Sequence, residues 1–346
     1  MQKVGINMEK NKTVNIKKLL SDNSMYIILL LAIIITTIIE PEFLSISSVI
    51  NIISLAAASL PMALGIAGCI ILKGTDLSAG RMTGLIACVV TALLQSTDYT
   101  GKLFAGMPTV PIWAAFAAAL LIGAVFGCIN GFFVAKFSIH PFIVTLSTQL
   151  IMYGLLLMFL MIGGNNGQTL SGLSPEYTLF VTGSFLSIGR TPIPNYVWFA
   201  VIVTAIIWII WNKTAFGRNM FAIGSNAESA RIAGVRVFAV TVGVFILAGI
   251  MYGYTAFIEA ARIGSNSSST GLNYELDAIA ACVIGGVSFV GGTGKIRGII
   301  TGVFLLRIIF VGLMYIGVTS NFQYIIKGII ILTACIIDMR KYAVRK

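Results

Sequence analysis

Ten separate runs of apolar residues, each 15 to 25 residues long, set the terms for this chain. They lie near 25–39, 49–72, 78–96, 111–135, 141–162, 194–211, 237–258, 276–290, 296–316 and 322–338. A helix crosses the hydrocarbon core of a bilayer with about 20 apolar residues. In lipid, only helices and closed barrels pair every backbone polar group. Composition agrees: 58% of the 346 residues are apolar and 10% charged, against about 25% charged in soluble domains. A soluble protein has nowhere to hide that excess, because over half of a folded surface is already apolar at ordinary composition. Disorder, fibrous repeats and a disulfide scaffold are excluded by the same figures. The expected fold class is an all-α polytopic membrane protein with about ten transmembrane helices.

Two runs are weak as plain spans. The 49–72 run carries Pro61, and 276–290 is short and ends in glycines, so both are expected to be interrupted helices packed inside protein or lining a cavity. Residues 1–24 are polar and basic, and no small-residue cleavage site follows the first run. That run therefore reads as a first span rather than a cleavable signal.

Charge orients the chain. Of the 23 Lys and Arg, eighteen fall in segments that ten spans place on the side of the N-terminus. They run from the five Lys of 1–24 through Lys73, Arg81, Lys136, the 212–237 loop, Lys295 and Arg297 to Arg340, Lys341, Arg345 and Lys346. Lys102, Arg190 and Arg262 fall opposite, while Arg307 and Lys327 lie within spans. Short cytoplasmic loops concentrate Lys and Arg, so both termini are expected in the cytoplasm. The +11 net charge then reports topology, and nucleic-acid binding is not indicated.

Spans 2–5 would start from outside and spans 7–10 from inside, giving two halves of opposite orientation. Each carries a short acidic motif before its second helix, DLSAG (Asp76 to Gly80) and ELDA (Glu275 to Ala278). The pattern is that of an inverted repeat of the transporter kind. Glycines four apart, at 123, 127 and 131 and at 294, 298 and 302, together with Gly249 and Gly253, suit close helix crossings.

Chemistry-bearing motifs are few. GGTGK at 291–295 lacks the Gly of a phosphate-cradling loop at its first position and the Ser/Thr after Lys295. Five cysteines lie in apolar runs without metal-ligand spacing, and the one histidine, His140, stands at a helix start before Pro141, so no metal site or catalytic pair is expected. Asp76 or Ser78 is placed to cap span 3, and Glu259 with Arg262 can pair on one helix face. No span carries an acid near its midpoint, where ion coupling usually places one. Neutral hydrogen-bonding groups are more plentiful: Asn130, Thr145, Thr148, Gln149, Tyr153 and Gln323 are expected to line a path for an uncharged polar solute. In the 212–237 loop, Asn226 can cap a helix containing Glu228 and Arg231, with Gly234 placed to end it. Two readings are open for it, an interfacial helix held to anionic membrane lipid and a docking knob for a cytoplasmic partner.

DLSAGR, FGRNMFAIGSNAESARIAGV and ELDAIAACVIGGVSFVGGTG with its spaced glycines resemble the permease subunits of bacterial ribose-type ATP-binding-cassette (ABC) sugar importers, over nearly the whole chain. GTDLSAGR, ARIGS, YELDAIAACV and YIIKG are most similar to its galactose/methyl-galactoside branch. The resemblance implies a transmembrane permease domain over 25–346, in the inner membrane, translocating a monosaccharide by alternating access. It implies a homodimer of permease copies, a cytoplasmic ATPase subunit holding ATP and Mg, and an extracytoplasmic sugar-binding protein, with no cofactor and no catalysis on this chain. It makes 212–237 the coupling loop, with Phe216, Gly217, Asn226, Glu228, Ala230 and Gly234 matching the family pattern. Arg307 stands where that pattern leads one to expect a polar or apolar residue. The alternative is an ion-coupled secondary transporter of a neutral solute.

Overall fold

The computed structural model describes residues 24–343; the basic segment 1–23 and residues 344–346 lie outside them. Thirteen α-helices make up the described architecture. In chain order they are α1 (Ser24–Ile39), α2 (Ile46–Ile71), α3 (Ala79–Leu93), α4 (Ile112–Phe137), α5 (Pro141–Leu160), α6 (Pro175–Thr182) and α7 (Asn195–Lys213). They continue with α8 (Ala215–Ser225), α9 (Ala227–Ile232), α10 (Val237–Ile263), α11 (Tyr274–Ile284), α12 (Ile296–Tyr315) and α13 (Ser320–Ala343). Between α6 and α7 a small exposed hairpin pairs β1 (Leu186–Ile188) with β2 (Thr191–Ile193).

Six described helices, α2, α4, α5, α7, α10 and α12, are long and apolar enough to cross a membrane, and α3 and the 321–333 part of α13 are shorter apolar helices. Exposed large side chains such as Leu121, Val125 and Phe133 on α4 and Val201, Ile202 and Ile206 on α7 form broad apolar faces that suit lipid, not water. The chain is a multi-pass membrane protein.

α2 is the central helix, buried at every position from Leu60 to Ile71. It is not interrupted, contrary to expectation: Pro61 lies inside one continuous helix. Proline removes a single backbone donor, and neighbouring helices in a membrane bundle make up for the lost bond. The helix starts at Ser45, whose hydroxyl accepts from the Ser48 backbone N–H at 3.2 Å.

The 276–290 run behaves as expected. α11 is a half-helix of 11 residues, closed by Gly285 and Gly286, the latter with φ of 81°. Gly298 and Gly302 bring α12 against the α11 backbone at Gly285 and Ala281. In the same way α4 and α10 cross at Gly123 and Gly127 against Phe245, Gly249 and Gly253. Cys69, Cys88 and Cys282 pack as small apolar residues, whereas Cys128 faces outward on α4. His140 is exposed and its Nδ1 accepts from the Phe142 backbone N–H at the start of α5.

Candidate functional site

Three constellations stand out, and the first is built on GTDLSAGR. Asp76, in the turn between α2 and α3, is fully buried. Its Oδ1 accepts from the Ser78 backbone N–H at 2.9 Å and from the Ser78 hydroxyl at 2.6 Å, and its Oδ2 accepts from the Tyr252 hydroxyl at 3.2 Å. Ser78 occupies the N-cap position of α3 but, contrary to expectation, no side chain caps the helix, because the Ser78 hydroxyl is turned to Asp76 instead. An acid does reach the bundle interior, a placement that span midpoints do not reveal. Burial holds the Asp76 carboxyl above the usual carboxylate range, offset in part by the Ser78 and Tyr252 hydrogen bonds.

Several of the polar residues expected along a solute path belong to this same network. Asn130 Nδ2 donates to Ser78 Oγ at 2.9 Å, and Asn130 Oδ1 accepts from Thr148 Oγ1 at 2.6 Å. Thr145 Oγ1 accepts from the Leu77 backbone N–H and donates to the Thr75 carbonyl. Tyr153 lies under the Arg81 guanidinium, 4.2 Å from its ring centroid. These groups are turned toward one another and toward residues 75–81, fastening that turn to α4 and α5. Gln149 is half-buried on α5. Gln323 lies apart on α13, donating to the Val318 carbonyl.

The second constellation is the α8–α9 unit. Thr214 caps α8, accepting from the Gly217 backbone N–H at 3.2 Å, and Asn226 Oδ1 caps α9, accepting from the Ser229 backbone N–H at 3.0 Å. Glu228 and Arg231 pair in the open at 2.7 Å, a contact of small energetic weight. Gly234, with φ of 85°, ends α9. Asn226, Glu228 and Gly234 are exposed, whereas Gly217 and Ala230 are buried against the chain itself. The Gly217 Cα abuts the Trp211 carbonyl, leaving no room for a Cβ. Phe216 packs on Gly243 and, with Asn219, Gly234 and Arg236, lines an open cleft of about 640 Å³.

This unit presses on two other segments. Lys73 Nζ donates to the Ser225 carbonyl at 3.2 Å, and the Gly292 backbone N–H donates to the Ile71 carbonyl at 2.9 Å. Gly224 fits between Ile71 and Gly292 with no space for a side chain. The C-terminus of α2, the end of α8 and the glycine turn after α11 thus meet in one junction.

The third constellation is a cavity of about 70 Å³ among α2, α10, α11 and α12. Arg262 binds Glu259 with two bonds, at 2.9 and 2.7 Å, as their spacing predicts, and the Tyr274 hydroxyl donates to Glu259 at 3.3 Å. Lys327 of α13 pairs with Asp277 at 2.5 Å. Arg307 Nε donates to Ser59 Oγ at 3.3 Å. Sequence reasoning found the Glu259–Arg262 pair and Arg307 but not Ser59, Tyr274 or their convergence, since Ser59 is 248 positions from Arg307.

Comparison with known proteins gives these features a lineage. The galactose/methyl galactoside import permease protein MglC of Haemophilus influenzae is 42% identical over 98% of this chain and 99% of its own length. The Escherichia coli protein of the same name is 42% identical over 94% and 96%. The ribose import permease protein RbsC of E. coli is 32% identical over 94% and 96%. No solved structure matches the chain. The family model described as branched-chain amino acid transport system / permease component covers residues 43–335. That stretch runs from the turn before α2 well into α13 and takes in all three constellations, so the chain belongs to this family of transport-system permease components.

Proposed function

We propose that this chain is the membrane-spanning permease subunit of an ABC importer that carries galactose or methyl galactoside across the bacterial inner membrane. The observation that carries the reading is the near-full-length similarity to galactose/methyl galactoside import permeases. Two permease copies pair with a cytoplasmic ATPase that holds ATP and Mg, and an extracytoplasmic binding protein delivers the sugar. The chain itself supplies the path and its gating, not hydrolysis.

We read ten membrane elements, α1–α5, α7 and α10–α13, with both termini in the cytoplasm and α2–α5 and α10–α13 as inverted halves. The two acidic motifs meet inside the bundle, where Gly80 of DLSAG packs directly on the Glu275 side chain of ELDA. The α8–α9 unit is the coupling element. Its capped, exposed Asn226 and Glu228 and the Phe216–Gly234 cleft are what a partner subunit meets. Buried Gly217 and Ala230 seat the unit against the rest of the chain. A push on it reaches α2 and the glycine turn directly through the Ile71–Ser225–Gly292 junction.

The test is reconstitution of the full chain in vesicles with its ATPase and binding protein. Galactose uptake should require ATP and both partners. Uptake by this chain alone, driven by a proton or sodium gradient and indifferent to ATP, would overturn the reading in favour of a secondary transporter.

A further inference from the structure

Charged side chains inside membrane helices are costly and usually face a functional cavity. Four of them, of both signs, line one void here, Glu259, Arg262, Asp277 and Arg307, and Lys327 of α13 pairs with Asp277. The void is about 70 Å³, several times the roughly 10–15 Å³ that one water needs. A cluster serving stability alone would pair off completely. Two pairs do form, Glu259 with Arg262 and Asp277 with Lys327. Arg307 makes no ion pair among the described residues, and its one hydrogen bond there is to Ser59. A guanidinium has five N–H donors in a rigid fork, and Arg307 lines the void with donors beyond the one given to Ser59.

The opposite wall supplies acceptors in fixed places. Arg262 and the Tyr274 hydroxyl hold the Glu259 carboxylate, and Thr255, whose hydroxyl donates to the Met251 carbonyl at 2.9 Å and keeps its lone pairs as acceptors, lines the wall one turn earlier on α10. An anion would call for donors only and a cation for acceptors only. A hydroxyl group gives one hydrogen bond and accepts two, and needs both kinds side by side. Leu55, Ala58 and Met62 of α2 add an apolar flank, which suits the C–H face of a sugar ring. Position agrees with this chemistry. Ser59 and Arg307 lie near the middles of α2 and α12, the N-terminal turn of half-helix α11 bears Asp277, and Glu259 and Arg262 close the site from the last turns of α10, toward the outer side. Membrane transporters place substrate near the bilayer midplane beside discontinuous helices of this kind.

We propose that the cavity bounded by Ser59, Thr255, Glu259, Tyr274, Asp277 and Arg307 is a sugar-hydroxyl recognition site inside the membrane, with Arg307 as its main donor. The proposal rests on the reading of the chain as a sugar permease and names where in that permease the neutral sugar is held.

The experiment uses the full chain with its ATPase and binding protein in vesicles. Arg307→Gln should lower galactose uptake about tenfold or more, and Arg307→Lys should recover part of it. Unchanged uptake in Arg307→Gln overturns the proposal. Ser59→Cys, with Arg307 in place, provides a binding readout that does not depend on Arg307→Gln folding. Galactose should slow its alkylation by a small thiol reagent, judged against the parent chain. Alkylation indifferent to galactose, or slowed by galacturonate and not by galactose, also overturns the proposal. Failure of the unsubstituted chain to take up galactose at all counts against the permease reading instead, so the two failures are distinguishable.

Discussion

Much of the packing is decided where a Cβ is missing. Gly123 and Gly249 each face the other's carbonyl with no space between, which lets α4 and α10 approach at backbone distance where no hydrophobic drive between helices exists. Gly249→Val should therefore cost roughly 1–3 kcal/mol, read as a lower unfolding midpoint of the purified chain in detergent. Gly154, in the interior of α5, has nothing within 4 Å of where its Cβ would stand. Gly154→Ala should raise the midpoint, by up to about 1 kcal/mol of helix propensity. Asn130 gives a polar counterpart. Asn130→Leu leaves the buried Ser78 and Thr148 hydroxyls each short of a partner and should cost about 1–3 kcal/mol in the same assay. The glycine spacing of this crossing was legible in the sequence. The partner of Asp76 was not, because Tyr252 is 176 positions away and nothing local marks it.

At the scale of elements, local signals were read well and distant ones were not. Asn226, Glu228 and Gly234 foretold α9 because a cap, a first-turn acid and a left-handed end are all settled within a few residues. Asn226→Ala should then cost α9 about 1 kcal/mol and loosen the link between ATP hydrolysis and sugar uptake in the reconstituted importer. Asn226→Asp, which keeps the cap, should preserve that link. Likewise the pairing of Glu259 with Arg262 followed from a spacing of three, whereas Lys327 and Asp277, fifty positions apart, meet only because α13 lies beside α11. Pro61 misled because a proline reads as a break only when nothing nearby replaces its missing donor. The end of α11 was legible because Gly285 and Gly286 follow its last residue, Ile284, and Gly286 takes the left-handed backbone that ends a helix.

For the whole molecule, the one-sided distribution of Lys and Arg predicts topology that reporters can check. A fluorescent protein fused after residue 346 should fold and fluoresce in the cytoplasm, and a cysteine placed at the exposed Ser187 of the hairpin should react with an impermeant thiol reagent from outside. The junction at the basic end has a further consequence, and it concerns time. Ile71 and Lys73, at the end of α2, find their partners at Gly292 and Ser225. During synthesis at roughly 5–20 residues per second, the central helix waits about 10 to 45 s for the last of them to emerge. Until then the Ile71 carbonyl lacks its Gly292 partner, and the nascent chain is open to chaperones and quality-control proteases at that spot. Chains arrested before residue 292 should accordingly be degraded from an inserted but unfinished state, and those arrested beyond α12 should not.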